Sequence, residues 1–156
     1  MFVVLFGISL FAEVIANDKP WVVRYDGHWY FPLVETYPEL TFGGDFPTPT
    51  DYLDPFIEKR IRAGDNFAIY PPVRYHYDTI NYFSTTPNPA PPSSENWLGT
   101  DDRGRDVFSR LLYGFRLSVI FALALTVSGT LLGVLAGAVQ GFYGGRIDLT
   151  LQRLIE

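Results

Sequence analysis

Residues 117–145 read LSVIFALALTVSGTLLGVLAGAVQGFYGG, and the reading of this run decides the fold. No charged side chain occurs from Leu117 to Val139. A helix rises about 1.5 Å per residue, so a run of this length crosses a hydrocarbon core of about 30 Å. Gly129, Gly133, Gly137, Gly141 and Gly145 recur at a constant spacing of four. Residues four apart lie near one face of a helix, so the earlier glycines of the series form a groove without side chains. In lipid such a groove admits a second helix, backbone against backbone. A buried helix of a soluble protein is the alternative, but each glycine there costs about 1 kcal/mol against alanine. The run is therefore read as a transmembrane helix over 117–141 whose packing glycines are Gly129, Gly133, Gly137 and Gly141.

The composition changes sharply on the amino-terminal side of this run. Residues 17–96 hold all 12 prolines of the chain and carry its whole formal net charge of −5. An acidic segment argues against nucleic acid as a partner, since phosphate binding needs a basic footprint. The chain has no cysteine, which excludes a disulfide framework and a thiolate metal site.

Residues 1–16, MFVVLFGISLFAEVIA, are apolar apart from Glu13. A secretory signal peptide would begin with a basic residue and end in a cleavage site; Val14-Ile15-Ala16 loosely fits the second requirement, and nothing fits the first. The preferred reading is the outer part of a first transmembrane helix, which is too short here for a full span. In 17–96, Trp21–Tyr25, a turn at Asp26-Gly27 and His28–Phe31 read as a β-hairpin. Asp54 before Pro55, with Phe56, Ile57 and Ile61 at helical spacing, reads as a short capped helix within 51–63. Tyr70, Tyr75, Tyr77, Tyr82 and Phe83 are too many aromatics for a disordered linker, so a small ordered lobe is expected. The proline-rich stretch 85–94 reads as an extended strap.

Residues 97–116 read as an amphipathic pre-span helix. Thr100 or Asp101 is its expected cap, Val107, Phe108, Leu111 and Leu112 its apolar face, and Asp106 with Arg110 a pair four apart. Gly114 is expected to break it. After the span, 142–156 reads as a turn followed by the start of a further helix, with Ile147, Leu151 and Leu154 on one face. Neither end of the chain closes its element, so the sequence reads as a fragment. The positive-inside rule does not fix sidedness: Arg103, Arg105, Arg110 and Arg116 precede the span, Arg146 and Arg153 follow it, and long loops translocate largely regardless of charge.

No catalytic constellation emerges. There is no Walker loop and no Gly-x-Ser-x-Gly elbow. His28 and His76 lack ligand-spaced neighbours and read as surface or aromatic-cluster histidines, and the adjacent Asp101-Asp102 reads as capping rather than acid–base chemistry. No catalytic, cofactor-binding or metal residue is expected, and the protein is not read as an enzyme.

Residues 96–107, NWLGTDDRGRDV, and 109–118, SRLLYGFRLS, together resemble the second permease subunit of bacterial peptide ABC importers of the oligopeptide, dipeptide and nickel type. The residues that carry the likeness are Leu98, Gly99, Thr100, Asp101, Gly104, Arg105, Asp106, Arg110, Tyr113, Gly114 and Arg116. Gly141, Tyr143, Gly144 and Gly145, then Asp148 and Arg153, continue the pattern. The aromatic segment 17–95 looks like the long outer loop of the Yej-type permease, which serves an oligopeptide and microcin C importer. The resemblance implies an α-helical integral membrane protein of the ABC importer permease class, with a mixed, loop-rich, aromatic extracytoplasmic segment. It implies a multi-pass protein of the bacterial inner membrane with residues 17–116 in the periplasm. The implied partners are a sister permease subunit, two ATPase subunits that bind the ATP, a periplasmic solute-binding protein and a peptide substrate. A membrane-anchored periplasmic binding or scaffold module without transport activity is the alternative function.

Overall fold

The computed structural model describes residues 1–143, and the segment 144–156, where the further helix is expected, lies outside the described residues. In chain order the elements are α1 (Phe2–Leu10), α2 (Ala12–Ile15), β1 (Val22–Tyr25), β2 (His28–Tyr30), a single 3-10 turn (Glu39–Phe42), α3 (Pro55–Ile61), β3 (Phe67–Ile69) and α4 (Val107–Tyr143). The chain divides into two compact units, Met1–Arg116 and a second beginning at Leu117. The described residues are thus only partly helical, and among them a small sheet accompanies one long apolar helix.

The sheet of the first unit is antiparallel in the order β2-β1-β3. The expected hairpin forms its first half. Asp26 (φ 49°) and Gly27 (φ 77°) both take left-handed conformations, as a two-residue turn matching the twist of the strands requires. β3 was not legible as a strand; it pairs with β1 in the register Val22↔Ile69, Val23↔Ala68 and Arg24↔Phe67. Alternation along β1 sends Val23 into the core, where it packs with Phe42, Tyr52, Ile57 and Ile61. Phe42 is fully buried, and the rings of Tyr25, Tyr30, Tyr37 and Tyr52 meet it edge to face at centroid distances of 5.6, 5.3, 6.3 and 5.7 Å. Edge-to-face contacts place the positive rim of one ring on the negative face of another, which rewards a cage over a stack.

α3 follows its sequence signals. Asp54 accepts the Phe56 N–H at 2.8 Å, and Pro55 occupies the first helical position, where no donor is needed. A second buried cluster joins Ala12 and Ala16 at the α2 end to Val73, Tyr75 and Tyr113. There Ala16, just after α2, forms an isolated parallel bridge with Val73: Val73 N–H donates to Ile15 O and Asn17 N–H to Val73 O, each at 3.1 Å.

Three readings of the sequence need correction. The apolar segment 1–16 is not one helix, because Phe11 (φ −93°, ψ 21°) separates α1 from α2. Residues 97–106 are a loop, so the pre-span helix does not start at Thr100 or Asp101. Nor does Gly114 break it: α4 runs unbroken through that residue. One glycine costs about 1 kcal/mol, which cannot stop a helix that is already nucleated and flanked on both sides by good formers.

The aromatic cage makes a prediction. Phe42→Ala should cost the lobe about 3–5 kcal/mol, the range for emptying a fully packed phenylalanine site. Urea unfolding followed by near-ultraviolet circular dichroism is the check. Phe67→Ala, on the outer face of the sheet, should move the midpoint far less.

Candidate functional site

The polar residues of the 96–116 pattern are largely spent on one another, and what they build is the start of α4. Asp106 is completely buried and caps the helix: its Oδ2 accepts the Ser109 N–H at 2.7 Å, and its carbonyl accepts the Arg110 N–H at 3.2 Å. Its Oδ1 accepts from Asn96 Nδ2 at 3.0 Å. The Ser109 hydroxyl lies 2.8 Å from both Asp106 Oδ2 and the Tyr75 carbonyl, which ties the cap to the rest of the lobe. The expected Asp106–Arg110 pair does not form, because capping uses up the Asp106 carboxylate.

Arg110 turns instead to Asp101. Oδ1 of Asp101 accepts the backbone N–H groups of Arg103 and Arg105, both at 2.9 Å. Oδ2 accepts Arg105 Nε at 2.9 Å and pairs with both Arg105 Nη2, at 2.8 Å, and Arg110 Nη1. Partial burial pushes the Asp101 carboxyl up, but the Arg105 and Arg103 hydrogen bonds and the Arg105 charge outweigh it and hold the group at about 2, below its ordinary 3.8. Thr100 accepts the Ala90 N–H at 2.8 Å and donates to Asn88 Oδ1 at 3.0 Å, fastening the proline-rich strap to the loop. Gly99 (φ +77°) is required here, because a side chain would both strain the backbone and strike the Ala90 carbonyl.

Two further members of the pattern, Tyr113 and Arg116, meet at Glu13. The Tyr113 hydroxyl lies 2.9 Å from both Glu13 Oε2 and the Ala16 carbonyl. Arg116 Nη2 stands 3.4 Å from Glu13 Oε1, and its guanidinium lies 5.0 Å from the Tyr113 ring centroid. His76 completes the cluster, with Nε2 3.9 Å from Glu13 Oε2 and its ring 4.7 Å from that of Tyr113. Further along, α1 touches α4 through Phe2 and Phe115, whose rings are 5.8 Å apart. Sequence reasoning passed over Glu13, although a lone acid in an apolar segment was the available signal. Asn96 and Ser109 stand in the quoted pattern without a role having been read for them, and Asn88 gave no signal.

From Leu117 onward α4 presents apolar side chains outward, among them Leu117, Phe121, Leu132 and Phe142. Over its described length it is long and apolar enough to cross a membrane. A Cβ added at Gly129, Gly133, Gly137 or Gly141 would meet nothing within 4 Å among the described residues. Leu98 is half exposed, and Gly114 also has open space beside it. Among the described residues no group of three or more His, Cys, Asp or Glu is arranged to hold a metal ion.

The Asp101 geometry fixes a pH dependence. The folded-state carboxyl binds its proton less readily than the unfolded one, so its contribution is complete above pH about 4 and is lost as pH falls towards 2. Asp101→Asn should therefore lower stability at neutral pH and flatten the acid limb of a stability-versus-pH profile between pH 4 and 2. Thermal melts across that range provide the check.

Comparison with known proteins places this geometry. Over all its 156 residues the chain is 51% identical to the inner membrane ABC transporter permease protein YejE of Escherichia coli (strain K12), covering 46% of that protein. It is 43% identical, again over its whole length, to the peptidoglycan transport system permease protein YejE of Agrobacterium fabrum, covering 47% of it. It is 41% identical over 91 residues, 57% of the chain, to the oligopeptide transport system permease protein OppC of Bacillus subtilis, covering 29% of that protein. The chain spans about half the length of the curated relatives it matches from end to end. No family model matches it. No solved structure matches it either. Similarity that runs through lobe, capping loop and α4 makes the chain similar, from end to end, to about half of a Yej-type ABC transporter permease.

Proposed function

We propose that the chain supplies the extracytoplasmic lobe and one membrane span of a permease subunit in an ATP-driven peptide importer. The observation that carries this reading is the whole-chain likeness to an inner membrane ABC transporter permease, joined to a helix that is apolar on its outward surface where it follows the capping loop. In this reading the protein is a multi-pass component of the bacterial inner membrane. Segment 1–16, with α1 and the short α2 after it, is the outer end of a first membrane span, residues 17–116 lie in the periplasm, and α4 carries the chain back towards the cytoplasm. A sister permease subunit packs beside it, two ATPase subunits bind the ATP, and a periplasmic binding protein delivers the cargo. The cargo is an oligopeptide; the microcin C reading rests on the Yej resemblance alone.

The residues of the 98–116 pattern act by position. Asp101, Asp106 and Tyr113 have their polar atoms engaged within the lobe, which suits groups that fix where α4 starts rather than groups that hold cargo. The stripe at Gly129, Gly133, Gly137 and Gly141 is where a neighbouring helix of the assembly packs. Alternating access needs helices that rock past one another, and a groove without side chains permits close packing with few interlocking contacts.

Uptake of a labelled oligopeptide tests the function. A strain lacking the full-length gene should fail to accumulate the peptide and regain uptake on complementation; unchanged uptake in the deletion strain contradicts the reading. Gly133→Leu and Gly137→Leu in the full-length protein should lower recovery of the intact complex in detergent, with transport falling in step. Sidedness has its own check: a cysteine placed at Asp65 should react with a membrane-impermeant maleimide in intact spheroplasts.

A further inference from the structure

The capping loop turns some of its side chains outward. Trp97 and Leu98 are 46% and 48% exposed, although the loop beside them is closed by internal hydrogen bonds. They are held firmly. Asn96 O accepts the N–H groups of Ser93 and Gly99 at 2.8 and 2.9 Å, and Gly99 O accepts the N–H of Val107, the first residue of α4, at 3.1 Å. The Trp97 ring lies 5.1 Å from that of Phe108 in the first turn of the same helix. Leu111, three residues after Phe108 and so on the same face, is 59% exposed. Asp102 and Arg103 also point outward and have no side-chain partner among the described residues.

A rigid loop does not expose a Trp-Leu pair by lack of alternatives. The strap and the second buried cluster are close by in sequence, and Phe108 and Leu112 already pack there. An indole with an apolar body and an unpartnered N–H suits the boundary between acyl chains and headgroups. The location agrees with this: Trp97 packs on Phe108 in the first turn of the helix that is apolar enough to cross a membrane. The charges of Asp102 and Arg103 belong on the headgroup and water side of that boundary.

We propose that Trp97 and Leu98, backed by Phe108 and Leu111, form a foot that seats in the headgroup–acyl boundary of a phospholipid bilayer and fixes the depth at which α4 enters it. The inference rests on reading α4 as a membrane span, and its occupant is lipid rather than another subunit. It assigns Leu98, a residue of the family pattern that makes no polar side-chain contact, a role that the capping network does not.

The chain lacks cysteine, so single nitroxide labels can be placed without background. Leu98→Cys, Leu125→Cys and Asp65→Cys are labelled separately in the 156-residue chain, reconstituted in vesicles of phosphatidylethanolamine and phosphatidylglycerol. Collision with oxygen, which concentrates in lipid, is compared with collision with a water-soluble nickel chelate. The expected oxygen-to-nickel ratio is highest at Leu125, several-fold above the Asp65 value at Leu98, and lowest at Asp65. A Leu98 label as nickel-accessible as Asp65, with Leu125 still deep, overturns the foot and leaves the span intact. A Leu98 label shielded from both reagents also overturns it, in favour of a protein contact. A nickel-accessible Leu125 label overturns the span reading, and the foot with it.

Discussion

A carboxylate that is half exposed keeps water on one side and takes hydrogen-bond donors from the protein on the other. Glu13 is that carboxylate, and the way it is satisfied organises the molecule. Its partners, Tyr113 and Arg116, come from a helix about a hundred residues further along the chain, as the separation of the Tyr113 contact shows (100 residues). One contact therefore ties the outer end of the first apolar segment to the start of α4. The buried cluster of Ala12, Ala16, Val73, Tyr75 and Tyr113 closes around the same place. Tyr113 is buried there, while Glu13 stays half exposed, so solvent screens the bond on the carboxylate side.

The two aspartates of the loop divide their work by location. Asp106, fully buried, satisfies the free N–H groups that every helix leaves at its start. Asp101, nearer the surface, gathers two arginines that would otherwise crowd the same turn. Between them they fix both the position and the charge of the helix start. Such fixed points matter, since a helix that slid along its axis would change every contact it makes.

Much of this was legible in sequence where the signal is local. Asp26-Gly27 can supply two positive φ angles, and Asp54-Pro55 is a cap followed by a ring that needs no donor; both elements stand where they were expected. The glycine spacing in 117–145 needs only the helical period. What failed was whatever depends on tertiary competition. Asp101 and Asp106 are both acceptable caps by residue type, and only the packing of Asn96, Ser109 and Tyr75 around Asp106 selects between them. β3 is three residues long and becomes a strand because β1 offers it a ladder, not because Phe67-Ala68-Ile69 demands one. Glu13 was visible as an anomaly, but its partner was not.

The central claim is that Glu13 and Tyr113 are energetically coupled, and a double-mutant cycle measures this directly. Glu13→Ala, Tyr113→Phe and the double variant are compared by thermal unfolding in detergent. The account predicts that the double variant is less destabilised than the sum of the single changes, by about 1 kcal/mol, the worth of a hydrogen bond to a charged group that is partly screened by solvent. Strict additivity would contradict it, because the helix start and the first apolar segment would then be held by separate means.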